Sequence, residues 1–283
     1  MSGFSADWLA LREPADHRSR NGDLATKLGE RFGGRSSIRI VDLGSGTGSN
    51  LRATAPHLGE TQEWTLVDHD ADLLEEAARA LTRWADEAKA VGDSLALFKD
   101  GRNIGVSFRV ADLDKDLDGI LASRPDLVSA SALFDLISER WMKRFASALH
   151  ASGADFYTVL TYNGQDEFVP PHPFDESVLR AFDMHQQRDK GFGPAAGPRA
   201  ATALAKVLKD VGYSVSTGNS PWVLKPSDAA LKRELLKGIV NAVEETGFIA
   251  EKGLQSWAFY RDAMAVEKGS RMMTGHTDIL ATL

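Results

Sequence analysis

The residues best suited to hold a ligand lie together at Asp42-Leu43-Gly44-Ser45-Gly46-Thr47-Gly48-Ser49-Asn50. Three alternating glycines follow Ile38 to Leu43, a β-branched run that reads as a buried strand. Glycine lets the backbone turn sharply and approach a ligand with no Cβ in the way. A helix starting near Ser49 would add free N–H groups and the positive end of its dipole. A dinucleotide loop is written G-x-G-x-x-G, but the position three beyond Gly46 is Ser49, which breaks that spacing. A nucleotide loop and a plain strand–turn–helix both stay open at this point. Asp68 ends the second strand at a place that suits a ribose, or it caps the next helix.

The spacing D-x-G-x-G-x-G, from Asp42 to Gly48, resembles motif I of the class I S-adenosylmethionine-dependent methyltransferases. The resemblance implies that Asp42, Gly44, Ser45, Gly46 and Asn50 shape a loop against the amino-acid and ribose parts of S-adenosylmethionine. It places Asp68, with His69, on the ribose hydroxyls. It places Asp112 on the adenine amino group and the Leu113 backbone N–H on the ring, one acceptor and one donor for the adenine edge. Ser129-Ala130-Ser131-Ala132-Leu133-Phe134-Asp135 matches motif IV, which sets Ser131 near the reactive methyl. This stretch lacks the N-P-P-Y or D-P-P-Y form of nucleobase amino-methyltransferases, which counts against a nucleic-acid acceptor. Asp135 either touches substrate or begins the helix at Ser138. The resemblance covers residues 15–160 and a closing strand pair near 213–225.

Arg18, on the opening helix, is expected to pair with the cofactor's carboxylate. A sulfonium methyl is already activated, so the transfer is an in-line displacement in which alignment counts most. A hydroxyl or ammonium acceptor needs a base, for which Asp135, His172 and His185 are the candidates. A thioether or tertiary amine needs none. The scattered histidines give no H-x-x-H or H-E-x-x-H spacing, so no metal is expected.

The elements that must position these groups alternate. Helix 14–33, strand 38–43, a helix from Ser49, strand 64–68 and helix 71–90 come first. Hairpin 94–110, strand 126–130, a helix through Trp141, Phe145 and Leu149, and strand 155–160 follow. This predicts a doubly wound α/β fold: a mostly parallel seven-stranded sheet, helices on both faces and an antiparallel closing strand. Five of the ten prolines fall in 162–198, which reads as an inserted cap over the acceptor. The expected organisation is a single domain. Its core is 15–160 and 199–226, with the cap at 162–198 and C-terminal helices over 228–268.

Composition narrows the classes. The 283 residues contain no cysteine, which excludes disulfides, thiol nucleophiles and thiolate metal sites and fits a cytoplasmic setting. Asp7, Arg12 and Glu13 interrupt the apolar stretch a signal peptide needs, and no apolar run is long enough to span a membrane. Thirty-three Lys and Arg against 40 Asp and Glu give a net charge of −7, which disfavours nucleic acid. The expectation is a methyltransferase acting on a small molecule, with a homodimer as a possible assembly. The alternatives are an NAD-dependent oxidoreductase and a non-enzymatic S-adenosylmethionine-binding regulatory protein.

Overall fold

The computed structural model describes residues 4–283. Two helices open it, α1 (Ala6–Ser19) and α2 (Gly22–Phe32), where one helix over 14–33 is expected. Arg20 leaves the helical region, and the Asn21 side chain accepts the Leu24 N–H at 3.0 Å, which starts a new helix. Then come β1 (Ile38–Leu43), α3 (Ser49–Thr54), β2 (Thr61–Asp68) and α4 (Ala71–Trp84). Strands β3 (Glu87–Val91), β4 (Ser94–Lys99) and β5 (Arg102–Val110) follow, then α5 (Leu113–Leu121), β6 (Leu127–Ser131), α6 (Glu139–Ser152) and β7 (Asp155–Tyr162). The last part holds β8 (Glu167–Val169), α7 (Asp175–Gln186), α8 (Ala200–Asp210), β9 (Ser214–Asn219) and β10 (Trp222–Leu224). It ends with α9 (Ala229–Thr246), α10 (Glu251–Met264), β11 (Arg271–Thr274) and β12 (His276–Thr282).

The main sheet has nine strands, in the order β3-β4-β5-β2-β1-β6-β7-β12-β9, rather than seven. The five from β5 to β7 are parallel, and β12 runs antiparallel to both β7 and β9. Leu28, Phe32, Leu74 and Leu81 cover one face from α2 and α4. Leu117, Met142, Phe145 and Leu204 cover the other from α5, α6 and α8. Because helices lie on both sides, every residue of β7 is buried.

Three further expectations need correction. The helix expected to reach residue 90 stops at Trp84. Asp86 accepts from Lys99 Nζ at 2.7 Å and the Asp100 N–H at 2.9 Å, which pulls residues 87–91 into the sheet. The closing strands are not 213–217 and 222–225 joined as a pair. β9 pairs with β12, while β10 leaves for a second sheet. The Ser220 N–H bonds the His276 carbonyl at 3.0 Å, so Gly218-Asn219-Ser220 leads into a crossing rather than a hairpin. Finally, the cap is not confined to 162–198. Its β8 joins β10 and β11 in a three-stranded sheet of order β10-β11-β8, and α7 packs on α9, which packs on α10. Two separate insertions therefore form one accessory layer.

An ion pair with a hydrogen-bonded tryptophan holds that layer. Arg261 on α10 meets the Asp175 carboxylate, donates to the Pro170 carbonyl at 2.7 Å and lies over the Phe168 ring. Trp257 donates its Nε1–H to Asp175 at 2.8 Å. Gly275 separates β11 from β12. A Cβ there would come within 2.6 Å of the Gln165 carbonyl, so only glycine fits the crossing.

Candidate active site

The carboxyl ends of β1, β2, β5 and β6 open into a cleft of about 330 Å³. This is where an open parallel sheet places its ligands. Gly44, Gly46 and Gly48 have φ of 63°, 51° and 74°, in the left-handed region. A Cβ on Gly46 would come 3.0 Å from Leu9 Cδ1, so the loop both turns there and packs tightly against α1.

Asp68 organises the loop's free edge. Its Oδ2 accepts the Gly46 N–H at 2.8 Å and its Oδ1 the Asp70 N–H at 3.1 Å. The helix-cap alternative for Asp68 falls away, because Asp70 caps α4 by accepting the Asp72 N–H at 2.9 Å. His69 lines the cleft beside it, with Nδ1 3.2 Å from Asp68 Oδ1. Asp112 and Leu113 also line the cleft, but the Asp112 side chain caps α5 through the Asp114 N–H and pairs with Lys115 at 2.6 Å. The Lys115 hydrogen bond holds that carboxyl below its usual range.

Asp42 lies wholly buried beneath the loop and does not line the cleft. Its Oδ1 accepts from Asn50 Nδ2 at 2.6 Å and Ser129 Oγ at 2.7 Å, while Oδ2 has no partner. Burial with no cation in contact pushes the carboxyl up to about 6. Asn50 is itself held by Arg20 at 2.8 Å, so it links β1, β6 and α3. Ser45 lines the cleft with a buried hydroxyl that has no partner within the described residues.

Helix α1 is stitched to this loop. Glu13 grips Arg52 through bonds of 2.8 and 2.6 Å, Arg52 donates to the Thr47 carbonyl at 2.8 Å, and His17 lies 2.9 Å from Ser49 Oγ. The same helix carries Leu9, Arg12 and Asp16 into the cleft wall. Arg12 pairs with Asp16 at 2.9 and 3.2 Å, and Asp16 also accepts from Trp222 Nε1 at 3.1 Å. Arg18 is outside the cleft and pairs with Asp228 at 2.8 Å. Two residues beyond Asp16, it projects about 200° around the helix from the cleft-facing side chains. The carboxylate partner expected of Arg18 is therefore unsupported by its position, and Arg12 is the arginine in the wall.

Ser131 lines the far end of the cleft with Ala132, Leu133 and Leu136. Asp135 is turned behind this wall. One oxygen is buried without a partner, and burial pushes its pKa up to about 6. His172 and His185 do not reach the cleft. His172 stacks between Phe174 and Tyr260, with Nδ1 accepting the Phe174 N–H at 3.2 Å. His185 sits 3.1 Å from Glu245 Oε2, where α7 meets α9. Both serve the accessory layer because α7 packs on α9 rather than over the β6 end. Among the described residues no three His, Asp or Glu side chains gather as metal ligands, and no helix is long and apolar enough to cross a membrane.

Sequence reasoning missed Leu9, Arg12 and Asp16 in the wall, and reached Lys190 and Phe192 only as members of the expected cap at 162–198. The spacing of Arg12 and Asp16, four residues apart, is the signal for the first group once α1 is seen to begin at Ala6.

The sequence matches no protein-family model and no curated protein. Solved structures do resemble the chain. One is the cyclopropane synthase MmaA2 from Mycobacterium tuberculosis, at 10% identity over 99% of this chain and 95% of that one, with a TM-score of 0.50. Another is a cyclopropane-fatty-acyl-phospholipid synthase-like protein from Lactobacillus casei ATCC 334. It shares 16% identity over 98% of this chain and 94% of that one, with a TM-score of 0.50. At such identities the likeness is one of fold. Together with the strand order, it gives the chain a Rossmann-like α/β fold.

Proposed function

We propose that this cleft binds S-adenosylmethionine and directs its methyl group to a nucleophilic O, N or S atom of a small-molecule acceptor. The observation that carries the reading is the left-handed loop Gly44–Gly48 with the Asp68 carboxylate at its open edge. That arrangement suits a nucleoside whose ribose offers two hydroxyls, and the unpartnered Ser45 hydroxyl offers one more polar contact. When bound, the cofactor supplies an electrophilic methyl on a sulfonium.

The chain's own groups supply position. Asp68, held in place by the Gly46 N–H, fixes the ribose end, and Asp112 with Leu113 borders the base. Running across the ends of β5, β2 and β1, a ligand so held directs its far end towards Ser131 on β6 and Ala132 just beyond it. Leu9, Leu133, Leu136 and Phe192 exclude water from that end. Alignment of this kind accounts for up to about 7–11 kcal/mol in the best intramolecular cases. No proton step is assigned to His172 or His185, since neither reaches the cleft.

Calorimetry with S-adenosylhomocysteine and with NAD tests the cofactor. Binding of the first without the second is expected, and the reverse result overturns the proposal. An acceptor screen that reads S-adenosylhomocysteine release then separates an enzyme from a binding protein.

A further inference from the structure

Two cations line the β6 end of the cleft, and they differ in what they meet. Arg12 is matched by Asp16 through two hydrogen bonds. Lys190 meets no carboxylate within ion-pairing distance among the described residues. Glu245, on α9, is already taken by Arg188 at 2.9 Å and His185 at 3.1 Å. The Asp135 carboxyl behind the wall makes no ion pair with it either. One positive charge is thus left without a contacting partner in a largely apolar recess, with Glu245 and Asp135 acting on it only from a distance.

Lys190 is not a loose surface side chain. The Asp189 carboxylate accepts the Gly191 N–H at 2.7 Å and the Gly193 N–H at 3.1 Å, and Asp189 bridges Pro194 across the loop. Both glycines have positive φ, 106° and 80°, which this closed loop requires. Phe192 anchors its tip edge-on against Trp141, at 5.5 Å between ring centres. The Ala196 N–H fastens the following residues to the Ile137 carbonyl at 2.9 Å.

We propose that Lys190 is the counter-ion for a carboxylate on the acceptor, whose apolar body lies against Leu133, Leu136 and Phe192. A single unmatched cation balances one negative charge, which favours a carboxylate over a phosphate dianion. An acid with an apolar chain or ring is therefore the substrate class. This inference rests on the methyl-transfer reading of the same cleft, because it assigns the β5–β1 end to the cofactor.

The test is calorimetry on protein loaded with S-adenosylhomocysteine, using octanoate against octanamide and 4-phenylbutyrate against its amide. Each acid is expected to bind about tenfold or more tighter than its amide. Lys190→Gln should erase that preference while leaving amide and S-adenosylhomocysteine affinities unchanged, and Lys190→Arg should keep most of it. Equal binding of acid and amide, no binding of either, or a preference that survives Lys190→Gln overturns the proposal. So does a Lys190→Gln variant that weakens S-adenosylhomocysteine itself, which would assign Lys190 to the cofactor's carboxylate. Failure of the unmodified protein to bind S-adenosylhomocysteine sinks the methyl-transfer reading instead. The titrations thus tell the two failures apart.

Discussion

At the β1 end of the cleft the wall is one short run of chain, Gly44 to Asn50, completed by Asp68 from the neighbouring strand. At the β6 end it is assembled from Arg12 and Asp16 on α1, Ala132 to Leu136, and Lys190 and Phe192 on a distant loop. The first end is shaped by backbone conformation, the second by side chains delivered from three directions. A backbone-shaped end suits a ligand that never varies. An end made of delivered side chains can be respecified by changing one segment while the others stay in place.

The largest test of this contrast lies outside the cleft, in the layer that carries the loop of Lys190. Asp175→Ala leaves Arg261 buried without its partner and should cost about 3–5 kcal/mol in chemical denaturation. A loss below about 1 kcal/mol would show that the accessory layer does not depend on this pair. Asp68→Ala should act at the other end. It removes an acceptor from Gly46 and should weaken S-adenosylhomocysteine by roughly 10–100-fold in calorimetry, the range of one or two charged hydrogen bonds.

Asp42 gives a test with a pH signature. Burial lifts its pKa to about 6, against 3.8 for an aspartate in water, so the folded chain binds this proton more tightly than the unfolded one. The associated stability is fully present below about pH 3.8 and is lost as pH rises through about 6. Asp42→Asn should flatten the wild-type decline across that window, on the order of 1–3 kcal/mol. Parallel stability curves for the two proteins between pH 4 and 7 would contradict this. The smallest effect is expected from Phe192→Ala, which removes the edge-to-face contact with Trp141, worth about 0.5–1.5 kcal/mol. Binding of octanoate to the loaded protein should weaken while S-adenosylhomocysteine affinity holds, separating the two ends of the cleft directly.

The same contrast explains what could be read from the amino acids. Residues 42–50 are legible because each glycine answers a local φ requirement, and local requirements are written in consecutive positions. Asp68 is legible because it falls at the end of the next strand. Arg12 and Lys190 share a cleft although 178 positions separate them, and no local pattern reports such a meeting. Arg18 suits a cofactor carboxylate only on an opening helix that begins at residue 14. With the helix starting at Ala6 its face turns to Asp228. Residues 85–91 carry the Ala and Glu of a helix, yet Asp86's ties to the β4–β5 turn override that propensity. Strand β12 has no clear signature in the sequence, because its apolar core is only Ile279-Leu280-Ala281 and its stability comes from partners on both sides.

That C-terminal run has a mechanical consequence. Residues 271–282 form the middle strand of the small sheet and then, after Gly275, a strand clamped between β7 and β9 of the large one. Asp278 adds three further fastenings, to the Asn21 and Leu160 N–H groups at 2.8 Å each and to Ser220. Any swing of the accessory layer would drag on a strand inside the main sheet. The layer therefore behaves as a fixed buttress rather than a door.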